Sequence, residues 1–279
     1  MPVGCPPFDM KNLLAILFNI SSTAMLVLIC GTPALMAWLP IRLLPGIWIF
    51  AGVFFAPFIY ALGFVLTAGL LSRPFRSGIV AGKFPRDLSH PVYRKRRYYG
   101  ICWTALYYCK PIYYLCLTIP WLKWLTFRLF GYRGQMDFTV YPDTWLRDLP
   151  LLDLGKGVYI ANRATLGTNM PLNNGKILVE GIKIGSRSLV GHLTMLAAGV
   201  ELGEDTQIES GCALGMFVKM GSRCGLGGTV TVEHYAQIGD DAFMGTSSYL
   251  GFRARLPNGA TIPPFTSLSK QGTSEGKSK

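Results

Sequence analysis

Residues 154–268 carry a large apolar side chain at every sixth position. The stops run Leu154, Ile160, Leu166, Leu172, Leu178, Ile184, Val190, Leu196, Leu202 and Ile208. They continue without a slip through Leu214, Met220, Leu226, Val232, Ile238, Met244, Leu250, Leu256, Ile262 and Leu268. A period of six is neither the 3.6 of an amphipathic helix nor the alternation of a long half-buried strand, so it predicts a short strand and a turn repeated many times. Two further columns share the phase. Glycine follows the stop at eleven of the twenty positions, including Gly185, Gly191, Gly203, Gly215, Gly221 and Gly239, which predicts a turn that needs positive φ. The fourth residue after the stop is small, from Ser188, Thr194, Val200, Thr206, Cys212, Val218 and Cys224 through Val230, Ala236, Ala242, Ser248, Ala254 and Ala260 to Thr266. A large and a small residue two apart across each hexad boundary suit a flat strand that fills a narrow interior from both positions.

These columns resemble the hexapeptide repeat of the left-handed parallel β-helix, and the chain is identified as a member of that superfamily by them. The resemblance implies an all-β triangular prism with three hexads to an 18-residue coil, an exception to the usual right-handed crossover. Twenty hexads make about 6.7 coils, and coils stacked at about 4.8 Å make a prism of about 30 Å.

Upstream the pattern changes. Residues 12–39 and 46–71 contain almost no charge, and each run is long enough to cross a bilayer as an α-helix. A signal peptide is the rival for the first run, but the run is too long for one and a second follows at once. Residues 72–98 hold Arg73, Arg76, Lys83, Arg86, Arg94, Lys95, Arg96 and Arg97 against Asp87; such a loop stays on the cytoplasmic side and reads as a topology signal beside membrane lipid, with a grip on anionic lipid or a carrier protein as the alternative. His90 in this stretch reads as a solvated loop residue. Residues 99–130 are rich in Trp103, Tyr107, Tyr108, Tyr113, Tyr114, Trp121 and Trp124 and are broken by Pro111 and Pro120. That composition predicts a kinked interfacial helix pair; a third span is the alternative and would place the β-helix on the opposite side. The expected organisation is therefore a membrane region at 1–130, a connector at 131–153, the β-helix at 154–269 on the cytoplasmic side, and a disordered polar tail at 270–279.

Composition agrees. Half the residues are apolar, 15% are charged and the net charge is +12, which indicates a membrane protein with basic flanks, and no RNA-binding aromatic signature accompanies the charge. Seven cysteines offer no CxxC pair and no metal spacing. Cys102, Cys109 and Cys116 recur every seven residues on one helical face, while Cys212 and Cys224 belong to the small inward column, so neither redox nor zinc chemistry is indicated.

The family resemblance implies a histidine acting as general base in a cleft between subunits of a homotrimer. The repeat contains His192 and His234, each two residues after a stop. One coil onward, Ser210 stacks on His192, with Glu209 diagonal to it in place of the usual glycine; a carboxylate there fixes a tautomer and stabilises an imidazolium. His192, Glu209 and Ser210 are thus the catalytic candidates, with His234 subordinate. The two histidines are 42 residues apart, two coils and a third, so they occupy different corners. A γ-class carbonic anhydrase would resemble such an arrangement but uses three histidines, which makes metal hydration the weaker enzyme reading. Arg253 and Arg255 fall in the late coils, where the resemblance implies binding of the phosphates of coenzyme A or of a phosphopantetheine thioester. Residues 168–176 are polar and turn-rich and read as a loop leaving the prism, which in the family overhangs a neighbouring site. The order of an aromatic membrane segment, Phe130, Gly131 and Tyr132, then a polar stretch ending at Gly155, is similar to the membrane-associated C-terminal part of polylysine-synthetase-type peptide synthetases. The adenylation and carrier modules are absent, and residues 134–137 lack an Ile-Gly step. That layout implies a carrier protein as partner. The expected function is acyl or aminoacyl transfer from a thioester to a hydroxyl or amine; a non-catalytic membrane scaffold for a peptide-synthetase system is the alternative.

Overall fold

A computed structural model describes residues 10–269, and the expected polar tail lies outside the described residues. The chain forms two compact units. One comprises the residues up to Ile79 together with Phe84–Leu115; the other comprises Val80–Lys83 and the chain from Cys116 onward.

The first unit is built on two long helices, α1 (Met10–Leu43) and α2 (Trp48–Ser72), joined by a turn in which Gly46 adopts φ 57°. Both are long and apolar enough to cross a membrane by length and composition. Ile29 on α1 and Phe64, Val65 and Ala68 on α2 are nearly inaccessible. Gly63 lets the Pro33 backbone approach, since a Cβ there would lie 3.3 Å from the Pro33 Cα, and Thr32 and Thr67 hydroxyls hydrogen-bond at 2.9 Å between the helices. The basic stretch is more ordered than its charge suggests: a 3₁₀ turn (Arg73–Gly78) and a strand (Gly82–Pro85) precede α3 (Pro91–Tyr108), whose first turns carry Arg94, Lys95, Arg96 and Arg97. Lys and Arg are good helix formers, and Pro91 sits at the first helical position, where its missing N–H costs nothing. The aromatic segment is three helices in sequence, α3, α4 (Lys110–Thr118) and α5 (Pro120–Leu129).

The second unit is a parallel β-solenoid of about seven turns, with three sheets of seven, seven and six strands. The chain visits them in rotation. The first face runs from Phe138–Val140 to Thr261–Ile262, the second from Trp145–Leu146 to Ser267–Leu268, and the third from Leu152–Leu154 to Arg255–Leu256. Partners 18 residues apart pair in parallel, as Val190 does with Ile208 and Leu214 with Val232. The inward column is as expected from the period, with Leu166, Val190, Ile208, Met244 and Leu250 fully buried.

Two of the twenty stops are not part of it. Leu166 is followed in the solenoid by Ile184, and between them residues 169–179 form an antiparallel hairpin, Asn169–Pro171 against Lys176–Val179. The excursion occupies twelve extra residues, twice the period, so Leu172 and Leu178 fall on phase while lying in the hairpin. The strand Gly82–Pro85 pairs with its second strand to make a three-stranded sheet. Conversely, two solenoid strands lie in the stretch expected as connector: Val140 aligns with Ile160 and Leu146 with Leu166. Leu146 and Leu154 are eight residues apart rather than six, because a 3₁₀ turn at Leu149–Leu151 follows Asp148 at φ 52°. That two-residue insertion hides the first coil from a six-residue stride. The number of strands is thus the expected twenty, with two members exchanged.

The solenoid is closed at its start by aromatic packing. Phe127, Phe130 and Tyr132 are buried, with Phe127, Tyr132 and Phe138 ring centroids 5.4–5.8 Å apart. Burial pushes the Tyr132 hydroxyl up to about 12.

Candidate functional site

The corners between faces carry the candidate chemistry, and their backbone is regular. From Ile184 to Ile262 the third residue after each inward stop adopts the left-handed conformation, including Arg187, Leu193, Asp205, Phe217, Arg223, Tyr235 and Arg253, with φ between 54° and 62° in these seven. Positive φ therefore falls two residues later than the glycine column predicted. Those glycines serve close stacking instead: a Cβ on Gly185 would lie 2.4 Å from the Gly203 backbone, and one on Gly191 would lie 2.5 Å from that of Glu209. The buried small column is hydrogen-bonded between coils. Ser188 Oγ donates to the Gly203 carbonyl at 2.8 Å, Thr194 Oγ1 to that of Glu209 at 2.8 Å, and Cys212 Sγ to that of Gly227 at 3.1 Å. Burial first, and then the charge of Glu209, raise the Cys212 thiol above its ordinary value against backbone hydrogen bonds that lower it, which makes it a packing group and not a nucleophile.

At the corner between the first and second faces, His192 is half-buried, and its backbone carbonyl accepts from the Gly211 amide at 2.8 Å. Glu209 and Ser210 are exposed one coil on, as the 18-residue stacking predicts. The cavities described below are not lined by any of these three residues.

At the corner between the second and third faces, His234 is held rigidly. Its Nδ1 accepts the Met216 amide at 2.8 Å, and Gly215 makes room for the ring, since a Cβ there would lie 2.5 Å from Nδ1. A backbone N–H can donate only to a lone pair, so the neutral ring carries its proton on Nε2. The corner between the third and first faces uses the same device with oxygen: Ser222 Oγ accepts the Glu204 amide, Asp240 Oδ1 that of Ser222, and Asn258 Oδ1 that of Asp240.

His234 also lines a cavity of about 460 Å³ on the second face. Its floor is the outward column of five successive strands, Trp145, Thr165, Met195, Ala213 and Thr231. Asn169 and Met170 of the hairpin form a wall, and Arg147, Glu233 and His234 are its ionisable groups. Beside it, the Tyr249 hydroxyl is raised from its ordinary value by burial first and then by the negative charge of Glu233. The hairpin is fixed at its root, where Thr168 Oγ1 donates to the buried Asp148 carboxylate. The polar stretch at residues 168–176 does leave the solenoid, as a hairpin more than a loop.

Around the same corner, on the third face, Arg253 and Arg255 line a cavity of about 390 Å³ with Phe217, Lys219, Tyr235 and Gln237. The Phe217 and Tyr235 rings stack at 5.1 Å and 14°, and the Arg253 guanidinium lies 5.6 Å from the Tyr235 centroid. Lys219 is paired to Glu201 at 3.0 Å. The predicted arginine pair is therefore brought together, with aromatic neighbours that no motif announced. A signal for the groove was nonetheless present: the residue before each inward stop, read every 18 positions, is mainly small or apolar on the second face and charged or amide on the third. Among the described residues no group of three His, Cys, Asp or Glu side chains is placed to hold a metal ion.

No family model and no curated protein matches the chain. Solved structures do. A GDP-perosamine N-acetyltransferase variant from Caulobacter crescentus, in complex with CoA and GDP-perosamine, is 18% identical over 50% of this chain and 57% of its own, with a TM-score of 0.36. An N-acyltransferase from Bacillus cereus in complex with dTDP and 3-hydroxybutyryl-CoA is 13% identical over 51% of this chain and 80% of its own, with a TM-score of 0.37. A UDP-N-acetylglucosamine acyltransferase from Bacteroides fragilis is 15% identical over 52% of this chain and 61% of its own, with a TM-score of 0.29. The chain thus spans little more than half the length of the first of these, and the likeness is one of solenoid architecture alone.

Proposed function

We propose that the protein is a membrane-anchored acyltransferase that moves an acyl or aminoacyl group from a coenzyme A or carrier-protein thioester to a hydroxyl or amine. The observation that carries this reading is the different chemistry left to its two repeat histidines. His234 has Nδ1 occupied by the Met216 amide, so its remaining polar group is an Nε2–H donor, suited to a carbonyl oxygen that gains charge. His192 is half-exposed at a neighbouring corner, and no hydrogen bond of the described structure engages its ring, so it retains a lone pair with which to accept the acceptor's proton. In the reaction the acceptor N or O attacks the thioester carbon, its proton passes to His192, and the C–S bond breaks to release the thiol after protonation. Arg253 and Arg255 would hold the donor's phosphates.

The two histidines lie at different corners, so the reading includes a homotrimer in which one subunit's His192 corner meets its neighbour's groove. It also places α1 and α2 in the bilayer and the solenoid on the cytoplasmic side, where such donors are found, on the strength of the basic residues between Arg73 and Arg97.

The test is turnover by the purified full chain with acyl-coenzyme A and acyl-carrier donors against hydroxyl and amine acceptors. His192→Ala should lower kcat about 10²- to 10⁴-fold. His234→Ala should lower kcat about 10²- to 10³-fold. The sequence alone made His234 the minor partner; its place in the groove wall raises it. A second reading, a non-catalytic scaffold for a carrier or peptide-synthetase partner, is favoured by the absence of His192 from the cavities described. Inert protein with every donor, together with a His192→Ala chain that still supports the cellular role, would establish the scaffold instead.

A further inference from the structure

The groove on the second face and the cationic cavity on the third meet at one corner, and His234 stands between them. Glu233 and His234 line the groove, while Tyr235, the next residue, and Arg253, whose amide donates to the His234 carbonyl at 3.1 Å, line the cavity. The groove itself is long. Its floor crosses five stacked strands from Trp145 to Thr231, which at the spacing of neighbouring strands is about 19 Å. Thr165, Ala213 and Thr231 keep that floor low, the hairpin residue Met170 walls it, and Met195, an unbranched and adaptable side chain, stands on it. Charge is confined to the ends: Arg147 near the start, Glu233 at the corner.

From this juxtaposition we infer that the protein binds a long-chain acyl thioester bent over the second corner. Its anionic head lies against Arg253 and Arg255, its carbonyl at His234, and its hydrocarbon chain along the groove under the hairpin. The inference rests on the acyltransferase reading for the direction of the thioester and adds the length of the acyl group. A short acyl group would leave most of the groove floor uncovered. A single saccharide ring would likewise cover only part of its length. An extended chain covers the small residues of the floor, and burial of each added methylene favours binding until the groove ends. On the cavity side, stacked Phe217 and Tyr235 offer a flat aromatic face beside two guanidinium groups, which suits a planar group joined to phosphate.

The experiment measures binding of acetyl-, hexanoyl- and dodecanoyl-coenzyme A to the full chain in nanodiscs, with empty nanodiscs subtracted. Affinity should rise at least tenfold from acetyl to dodecanoyl. Ala213→Trp, an outward substitution that blocks the middle of the groove, should remove that gain, and Thr231→Trp should remove it nearer the corner. Arg255→Gln should weaken all three ligands by a similar factor. Equal affinity across the series, or an undiminished dodecanoyl gain in both tryptophan variants, overturns the inference. Transfer of acetyl groups with no chain-length dependence would sink the long-chain groove and leave the acyltransferase standing. Chain-dependent binding blocked by Ala213→Trp, with no transfer to any acceptor, would establish the groove and sink the enzyme.

Discussion

The two units use the same apolar residue types in opposite directions. In α1 and α2, Ile16, Leu17, Val27, Phe50 and Phe54 are each more than half exposed, whereas in the solenoid Leu166, Ile208 and Leu250 are fully buried. The difference follows from where each element makes its backbone hydrogen bonds. A helix satisfies its interior amides and carbonyls within itself, so its outer surface can be hydrocarbon facing hydrocarbon. A solenoid coil satisfies them on the coil above and below, which leaves an edge at the last turn of the described residues, where Ile262 and Leu268 are only half covered. Such an edge suits water or a protein partner and not lipid. Apolar content alone thus does not distinguish the two units; its orientation does.

The sharpest way to break this comparison is a charge at matched positions in the two units. Val232 is 1% exposed on the solenoid's inward column, and Val232→Asp should destabilise the solenoid by about 3–5 kcal/mol, since the carboxylate is buried without a partner; loss of the β signal in thermal melts of the detergent-solubilised chain checks it. Val27 is 64% exposed on α1, and Val27→Asp should leave that melt unchanged while opposing bilayer insertion by about 3 kcal/mol, read as the fraction of chain recovered with membranes. A solenoid melt unaffected by Val232→Asp would refute the six-residue register, and normal membrane recovery of Val27→Asp would refute the anchor.

Within the solenoid, a smaller effect separates the glycines that permit stacking from those that merely turn. Gly215→Ala would place a Cβ 2.5 Å from His234 Nδ1 and 2.7 Å from the His234 amide nitrogen. It should cost about 1–3 kcal/mol by overpacking and displace the imidazole, seen as a shifted His234 ring resonance. Gly259 has φ 69° and open space around its Cβ position, so Gly259→Ala should cost only the left-handed backbone preference, about 1 kcal/mol, with no change at His234. Equal effects on the His234 resonance would contradict the stacking role.

The smallest effect concerns the exposed ladder at the third corner. Arg187 binds Asp205 through two hydrogen bonds of 2.7 Å and Glu204 through one of 3.0 Å, and Arg223 binds Asp241 at 2.6 and 2.8 Å. Hydrogen bonds from the guanidinium groups hold the Asp205 and Asp241 carboxyls below their ordinary values. A depressed carboxylate stabilises the fold above its unfolded-state pKa, and the contribution disappears as pH falls through the folded-state value. Melting temperature should therefore fall shallowly with acidification below the usual carboxylate range. The Arg187→Gln, Arg223→Gln pair should flatten that slope, and high salt should shrink the difference, because these pairs face solvent.

The sequence by itself determined the repeat, the inward column, the stacking of Ser210 on His192 and the two apolar helices, because each depends on spacing along the chain, which a fixed 18-residue coil or a helical rise converts directly into position. The choice of Arg253 and Arg255 came instead from the family resemblance. What only the tertiary structure decided were departures from constant spacing and contacts between coils. The twelve-residue hairpin kept the phase and so concealed itself under Leu172 and Leu178, while the two-residue insertion before Leu154 lost the phase and concealed the coil that contains Val140 and Leu146. The glycine column read as a turn signal, yet its cause is the close approach of the next coil, which no local pattern displays. His234 shares the repeat position of His192, two residues past a stop, and the sequence made it the subordinate candidate. Only the Met216 amide, 18 residues away along the chain and one coil away in space, commits its Nδ1, and only the hairpin over the second face makes its corner the end of a groove.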